Sequence, residues 1–175
     1  MKTNIALIGF MGTGKTAVGK ALASKLGKQF IETDGLIEQK AGKSIPEIFE
    51  QNGEIAFREL EIEITKNIAH TKNAVIACGG GLVLNKINID RFKEECIIVY
   101  LTASAGIILK RTSGDAGGRP LLAVPNRLQQ IRELLRYRQP YYRQAADIII
   151  NTSRLSIRMV VERIEEELKD NESFN

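Results

Sequence analysis

Apolar residues along this chain fall into two alternating patterns. Residues 4–9 (NIALIG) form a short apolar run ending in glycine, and in residues 15–26 Val18, Leu22 and Leu26 recur every fourth position. The first pattern predicts a strand and the second an amphipathic helix. Residues 29–33, 74–78, 96–101 and 147–150 repeat the strand pattern, and their mostly unbroken apolar character suits a parallel sheet covered on both faces. Between them lie helical stretches. Ser44-Ile45-Pro46-Glu47 predicts a helix start with a capping box, and Phe57, Leu60, Ile64 and Ile68 mark residues 54–69 as a helix. Residues 104–112, 126–144 and 156–169 are the later helices. Strands alternating with helices over the whole length predict a doubly wound α/β fold with right-handed crossovers. Residues 170–175 are expected to be a ragged end.

Length and composition narrow this picture. At 175 residues and 43% hydrophobic content, the chain suits one domain, 1–175, burying about two thirds of its unfolded surface. Aromatics make up 6% and there is no Trp, which disfavours a base-stacking nucleic-acid platform. No apolar run reaches the roughly 18 residues of a membrane span, and the start MKTN leads directly into the first strand, so a cytoplasmic location is expected. Cys78 and Cys96, each in an apolar stretch, read as buried thiols. The net charge of +4 is unevenly spread: residues 110–143 hold eight basic residues against two acidic ones. Such an arginine-dense third suits a small polyanionic ligand, although a nucleic-acid patch has the same signature.

Motifs decide between them. Gly9-Phe10-Met11-Gly12-Thr13-Gly14-Lys15-Thr16 fits G-x-x-x-x-G-K-[ST] between the first strand and first helix, the context a phosphate-binding P-loop requires. Backbone N–H groups curl around phosphate oxygens there, Lys15 reaches the outer phosphates and Thr16 is placed to ligate magnesium. Glu32 and Asp34, one residue apart at the end of the second strand, diverge, so one carboxylate can face a metal and the other an acceptor; helix capping is the competing role. The triplet Gly79-Gly80-Gly81 ends the third strand at the carboxyl edge of the sheet, where it permits close approach of a ligand. Leu128, Ile131, Leu135 and Arg138 share a helical stripe, which turns Arg138 inward and leaves Arg132 and Arg136 outside it. Arg58 falls between Ile55 and Ile62 at similar spacing, with Glu61 three residues on as an ion-pair partner. An inward guanidinium requires an anionic partner from protein or ligand. Arg119, in the small-residue segment GDAGGRP, is placed to close over transferring phosphates, unless that segment is a plain linker.

GFMGTGKT, IETD, SIPEIFEQNGEIAFRELE, GGG, GRPLL and YRQPYY follow one another in an order and spacing that resemble the shikimate kinase family of P-loop enzymes, over nearly the whole chain. The resemblance implies a five-stranded parallel sheet of order 2-3-1-4-5 with a lid around residues 112–125. It implies ATP-dependent phosphorylation of the shikimate 3-hydroxyl in aromatic amino-acid biosynthesis. Gly12, Thr13, Gly14, Lys15, Thr16 and Ala17 then bind ATP with Mg2+, and Arg111 and Arg154 flank adenine. Asp34, Arg58, Gly79, Gly80, Gly81 and Arg138 contact shikimate; Lys15, Asp34 and Arg119 are the catalytic set, and Thr16 and Glu32 serve the metal. The family pattern is commonly Asp-x-Asp where this chain has Glu32-Thr33-Asp34. A monomer without nucleic-acid or membrane partners is implied. The alternatives are a kinase of another acceptor, such as gluconate or a nucleoside monophosphate, and a non-catalytic nucleotide-binding regulator.

Overall fold

The five expected strands form: β1 (Asn4–Ile8), β2 (Gln29–Glu32), β3 (Ala74–Ala77), β4 (Cys96–Thr102) and β5 (Ile148–Asn151). They make one parallel sheet in the order β2-β3-β1-β4-β5. The computed structural model describes residues 1–114 and 124–174. Arg119 and most of the expected lid over residues 112–125 therefore lie outside the described residues.

Successive side chains of a strand point to opposite faces, and β1 uses both. Ile5 and Leu7 face α1 (Lys15–Leu26) and α7 (Ile157–Lys169), together with Leu22 and Ile164. Ala6 and Ile8 face the other layer, which holds α2 (Thr33–Ala41), α3 (Ile45–Ile68), α4 (Lys86–Glu95), α5 (Ala105–Thr112) and α6 (Arg127–Ala145). This double covering is why the strands read as continuous apolar runs. Cys78 and Cys96 are buried, reduced thiols.

Several elements depart from expectation for visible reasons. Helix α2 carries Gly35 and buries little besides Ile37, so its apolar pattern is faint. Helix α4 is likewise unmarked by a long stripe; Asn85 caps it and Ile89 and Phe92 anchor it. The capping box of Ser44 and Glu47 forms, but the helix it starts continues into the next one, with a kink at Gly53 (φ 80°, ψ 173°). Only glycine adopts that conformation readily. Asp147 stops short of β5: its carboxylate accepts the Ile98 N–H at 2.8 Å. The tail through Phe174 is held, not ragged. Lys2 N–H donates to the Ser173 carbonyl at 2.7 Å, Phe174 packs on the α1/α7 layer, and the Lys28 ammonium lies 5.1 Å above its ring.

Candidate active site

The P-loop follows β1 and delivers the chain into α1, whose N-cap Gly14 has φ 101°. Together with the ends of β2 and β3 it borders a cleft of about 290 Å³. Gly12, Gly14, Lys15, Thr16, Ala17, Glu32, Asp34 and Gly80 line it. Thr13 does not line it: its side chain is buried, and its hydroxyl donates to the Phe10 carbonyl at 2.8 Å. Lys15 Nζ donates to the Gly9 and Phe10 carbonyls at 2.8 and 2.9 Å.

Glu32 closes β2 directly before α2, yet its side chain makes no capping bond to that helix. It accepts the Thr16 hydroxyl instead. Capping is therefore not its role here. The pair sets a hydroxyl and a carboxylate side by side at the P-loop mouth, a donor set that fits magnesium, which binds one or two carboxylates and leaves the rest of its shell to water and phosphate. Among the described residues there is no cluster of three His, Cys, Asp or Glu side chains able to hold a metal alone.

The opposite wall is ionic and partly buried. Arg58 Nη1 donates to Glu61 Oε2 at 2.5 Å and Nη2 donates to Glu54 Oε1 at 2.9 Å. Arg138 is 2% exposed and its guanidinium lies 5.7 Å from the Phe10 ring centroid. The helical stripe that placed Arg138 inward holds, with Arg132 and Arg136 exposed. The stripe assigned to Arg58 does not: Ile55 is 79% exposed, and the inward line of α3 runs through Phe57, Glu61 and Ile64. Arg58 sits at the border of that line and owes its partial burial to Glu54, Glu61 and Gly81. The reason lies in the choice of stripe: Ile55 and Ile62 stand well round the helix from the line of Phe57, Ile64 and Ile68, which is the one that meets the core.

The glycine triplet is shaped by these groups. A Cβ on Gly79 would stand 2.6 Å from Asp34 Oδ1 and 3.0 Å from Glu61 Oε1, and one on Gly81 would stand 2.6 Å from Arg58 Cζ. Gly79 N–H is already used, donating to the Thr33 hydroxyl at 2.8 Å. Asp34 Oδ1, Glu61 Oε1 and Arg138 Nε are buried without a hydrogen-bond partner. Buried polar atoms rarely stay orphaned, so three around one cleft mark where a polar ligand completes the structure. Burial raises the Asp34 carboxyl above its ordinary value, against the pull of the Lys15 ammonium. Burial also pushes Glu61 up to about 7, outweighing the adjacent Arg58 guanidinium.

Glu61 was foreseen as the partner of Arg58, but not as a member of the cleft; its position on the Phe57–Ile64 stripe was the available signal. Tyr142 was missed. It lies one turn after Arg138, is 1% exposed, stacks on Tyr100 at 4.9 Å between centroids, and donates its hydroxyl to the Gly80 carbonyl. The adenine candidates separate. Arg154 borders a second cleft of about 690 Å³ with Ser104, Ile107, Asn151 and Ser153. Arg111 instead donates to the Gly12 and Thr152 carbonyls at 3.3 and 2.9 Å.

A P-loop at the carboxyl edge of a 2-3-1-4-5 sheet, faced across one cleft by an acidic and arginine-lined acceptor wall, defines a P-loop kinase of small molecules. The shikimate kinase family model matches residues 11–169. A shikimate kinase of Thermodesulfovibrio yellowstonii is 47% identical over 161 residues, covering 92% of this chain and 92% of that protein. The structure of shikimate kinase from Acinetobacter baumannii in complex with shikimate superposes with a TM-score of 0.94 at 39% identity, covering 98% of this chain and 96% of that one. Shikimate kinase from Aquifex aeolicus gives 0.84 at 34% identity, covering 96% and 97%. The chain belongs to the shikimate kinase family.

Proposed function

We infer that this enzyme transfers the γ-phosphoryl group of ATP to the 3-hydroxyl of shikimate, a step of aromatic amino-acid biosynthesis. The observation that carries the assignment of roles is the single cleft in which Lys15, Thr16 and Glu32 meet Asp34 and Gly80. The bond from the γ-phosphorus to the bridging oxygen of ADP breaks as the bond to the acceptor oxygen forms, and the acceptor hydroxyl loses its proton.

Little covalent chemistry is asked of the protein in such a transfer; positioning and charge neutralisation dominate. Gly12, Gly14, Thr16 and Ala17 cradle the phosphates, and Lys15 exchanges its two carbonyl contacts for phosphate oxygens. Magnesium, held through Thr16 and Glu32, would neutralise charge on the β- and γ-phosphates. Asp34 receives the acceptor hydroxyls and takes the proton; its raised affinity for a proton in the cleft suits that task. Arg58 and Arg138 grip the acceptor carboxylate against Gly80 and Gly81, and Gly79 lends the space that Asp34 needs. Arg119, in the expected lid, completes the charge over the phosphates, and Arg154 borders the base.

The reading extends to one domain over residues 1–175, acting as a monomer in the cytoplasm without nucleic-acid partners. Among the described residues no helix is long and apolar enough to cross a membrane. ADP release measured with shikimate, gluconate and AMP as acceptors tests the assignment. Turnover confined to shikimate supports it, and turnover with gluconate or AMP but not shikimate removes it.

A further inference from the structure

Thr152 stands directly after β5 and is 2% exposed. Its hydroxyl lies 3.0 Å from the Thr13 carbonyl of the P-loop and 3.2 Å from the Thr102 carbonyl at the end of β4. It accepts Arg111 Nη1 at 3.0 Å. Its own N–H donates to the Thr102 carbonyl at 2.8 Å, and its carbonyl accepts Arg111 Nη2 at 2.9 Å. Thr152 thus ties three segments that are remote in sequence: the P-loop, the end of β4 and the last turn of α5.

A hydroxyl has one proton to give. With Arg111 donating to it and the Thr102 carbonyl already served by the Thr152 N–H, that proton goes to the Thr13 carbonyl. The C=O and N–H of one trans peptide point in opposite directions. Holding the Thr13 carbonyl inward therefore turns the Gly14 N–H away from Thr152, on the side where Gly14 lines the cleft. Nothing intrinsic to Gly14 fixes this orientation, since glycine populates both halves of φ space. Arg111, by holding the Gly12 carbonyl at 3.3 Å, steadies the preceding peptide in the same way.

We propose that Thr152 is a positioning residue: its hydroxyl locks the Thr13–Gly14 peptide so that the Gly14 N–H faces the phosphates. The same hydrogen bonds join the P-loop to the β5–α7 turn carrying Ser153 and Arg154. This rests on the reading of the P-loop as the ATP phosphate site.

The test compares wild type, Thr152→Val and Thr152→Ser for binding of inorganic tripolyphosphate, ADP and shikimate by calorimetry, with thermal unfolding alongside. Tripolyphosphate probes the loop without the base. Thr152→Val should bind tripolyphosphate and ADP roughly tenfold more weakly, as expected for one lost buried hydrogen bond, and bind shikimate as wild type does. In steady state its KM for ATP should rise while its KM for shikimate stays, and Thr152→Ser should restore both ligands. Tripolyphosphate binding unchanged in Thr152→Val would overturn the proposal, whatever the melting temperature does. So would a Thr152→Ser variant as impaired as Thr152→Val, because the methyl group would then be what matters. If Thr152→Val does not fold, Thr152→Ala carries the same comparison. Failure of the wild type to bind either phosphate ligand would remove the P-loop reading itself, a result distinct from both.

Discussion

The two walls of the cleft are built on different principles. The nucleotide wall is contiguous in sequence, made largely of backbone, and positioned by one strand-to-helix turn. The acceptor wall draws Asp34 from α2, Arg58 and Glu61 from α3, the glycines from the end of β3 and Arg138 from α6. Glu61 and Arg138 are buried, Asp34 and Arg58 half-buried, and three of the wall's polar atoms lack partners. A phosphate chain is recognised by any correctly curled loop, whereas one particular acid needs charges fixed at set separations. The acceptor wall therefore carries more electrostatic strain, and on the proposed reading it is the part that specifies the substrate.

If this contrast holds, the largest effect belongs to the nucleotide wall. Lys15→Ala should lower kcat about a thousandfold, roughly 4 kcal/mol of lost charge stabilisation, while leaving the melting temperature near that of wild type. Paired assays of shikimate-dependent ADP release and thermal unfolding check this. Near-normal turnover would show that the loop does not act on the transferring phosphoryl group.

The acceptor wall should instead betray itself in stability. A carboxyl raised from 4.5 to about 7 by the fold favours its neutral form, so the stability it contributes is complete below about pH 4.5 and is lost as pH rises through about 7. The span corresponds to up to about 3 kcal/mol. Denaturant unfolding of the substrate-free protein from pH 4.5 to 8 should show this decline in wild type and a flatter profile in Glu61→Gln. Parallel profiles would mean that the Arg58 ion pair keeps Glu61 charged throughout.

Burial also separates two arginines on one helix. Arg138→Ala should weaken shikimate binding by roughly ten- to a hundredfold, the value of a charge-assisted contact to a carboxylate, and exposed Arg136→Ala should leave it nearly unchanged. Equal losses by calorimetric titration would place the carboxylate elsewhere. The smallest effect is expected where the walls meet. Glu32→Asp should keep most activity, because a water-mediated contact absorbs one methylene, while Glu32→Ala should raise the magnesium concentration for half-maximal rate by roughly fivefold. A magnesium titration at fixed ATP and shikimate in which Glu32→Ala matches wild type would detach Glu32 from the metal.

The same contrast explains what could be read from the chain. The P-loop was fully legible, because a local motif in the right context fixes its own geometry. Arg138 was legible through helical phase, since α6 keeps one register from Ile131 to Tyr142. Arg58 was placed on the wrong stripe: Ile55 and Ile62 belong to a face well round the helix from Phe57 and Ile64, and it is the latter pair that meets the core. Tyr142 and Thr152 act through hydrogen bonds to backbone carbonyls 62 and 139 residues away, and no local pattern announces those. The sheet order followed from resemblance, the strands themselves from the short apolar runs. Helices α2 and α4 were faint because each buries few apolar side chains.

The two cysteines have a practical consequence for anyone wishing to watch this enzyme move. Both are shielded from solvent, and burial pushes both thiols well up, Cys96 to about 12. Alkylation proceeds through the thiolate, a form that neither residue offers to reagent at neutral pH. The native chain is thus a silent background for maleimide chemistry. A cysteine placed at Ile55, 79% exposed on the kinked helix beside the acceptor wall, would take up a fluorophore or spin label alone. Mass spectrometry after brief labelling should find one adduct on that variant and none on the parent protein, giving a reporter on the helix that carries Arg58 and Glu61 without first removing any native residue.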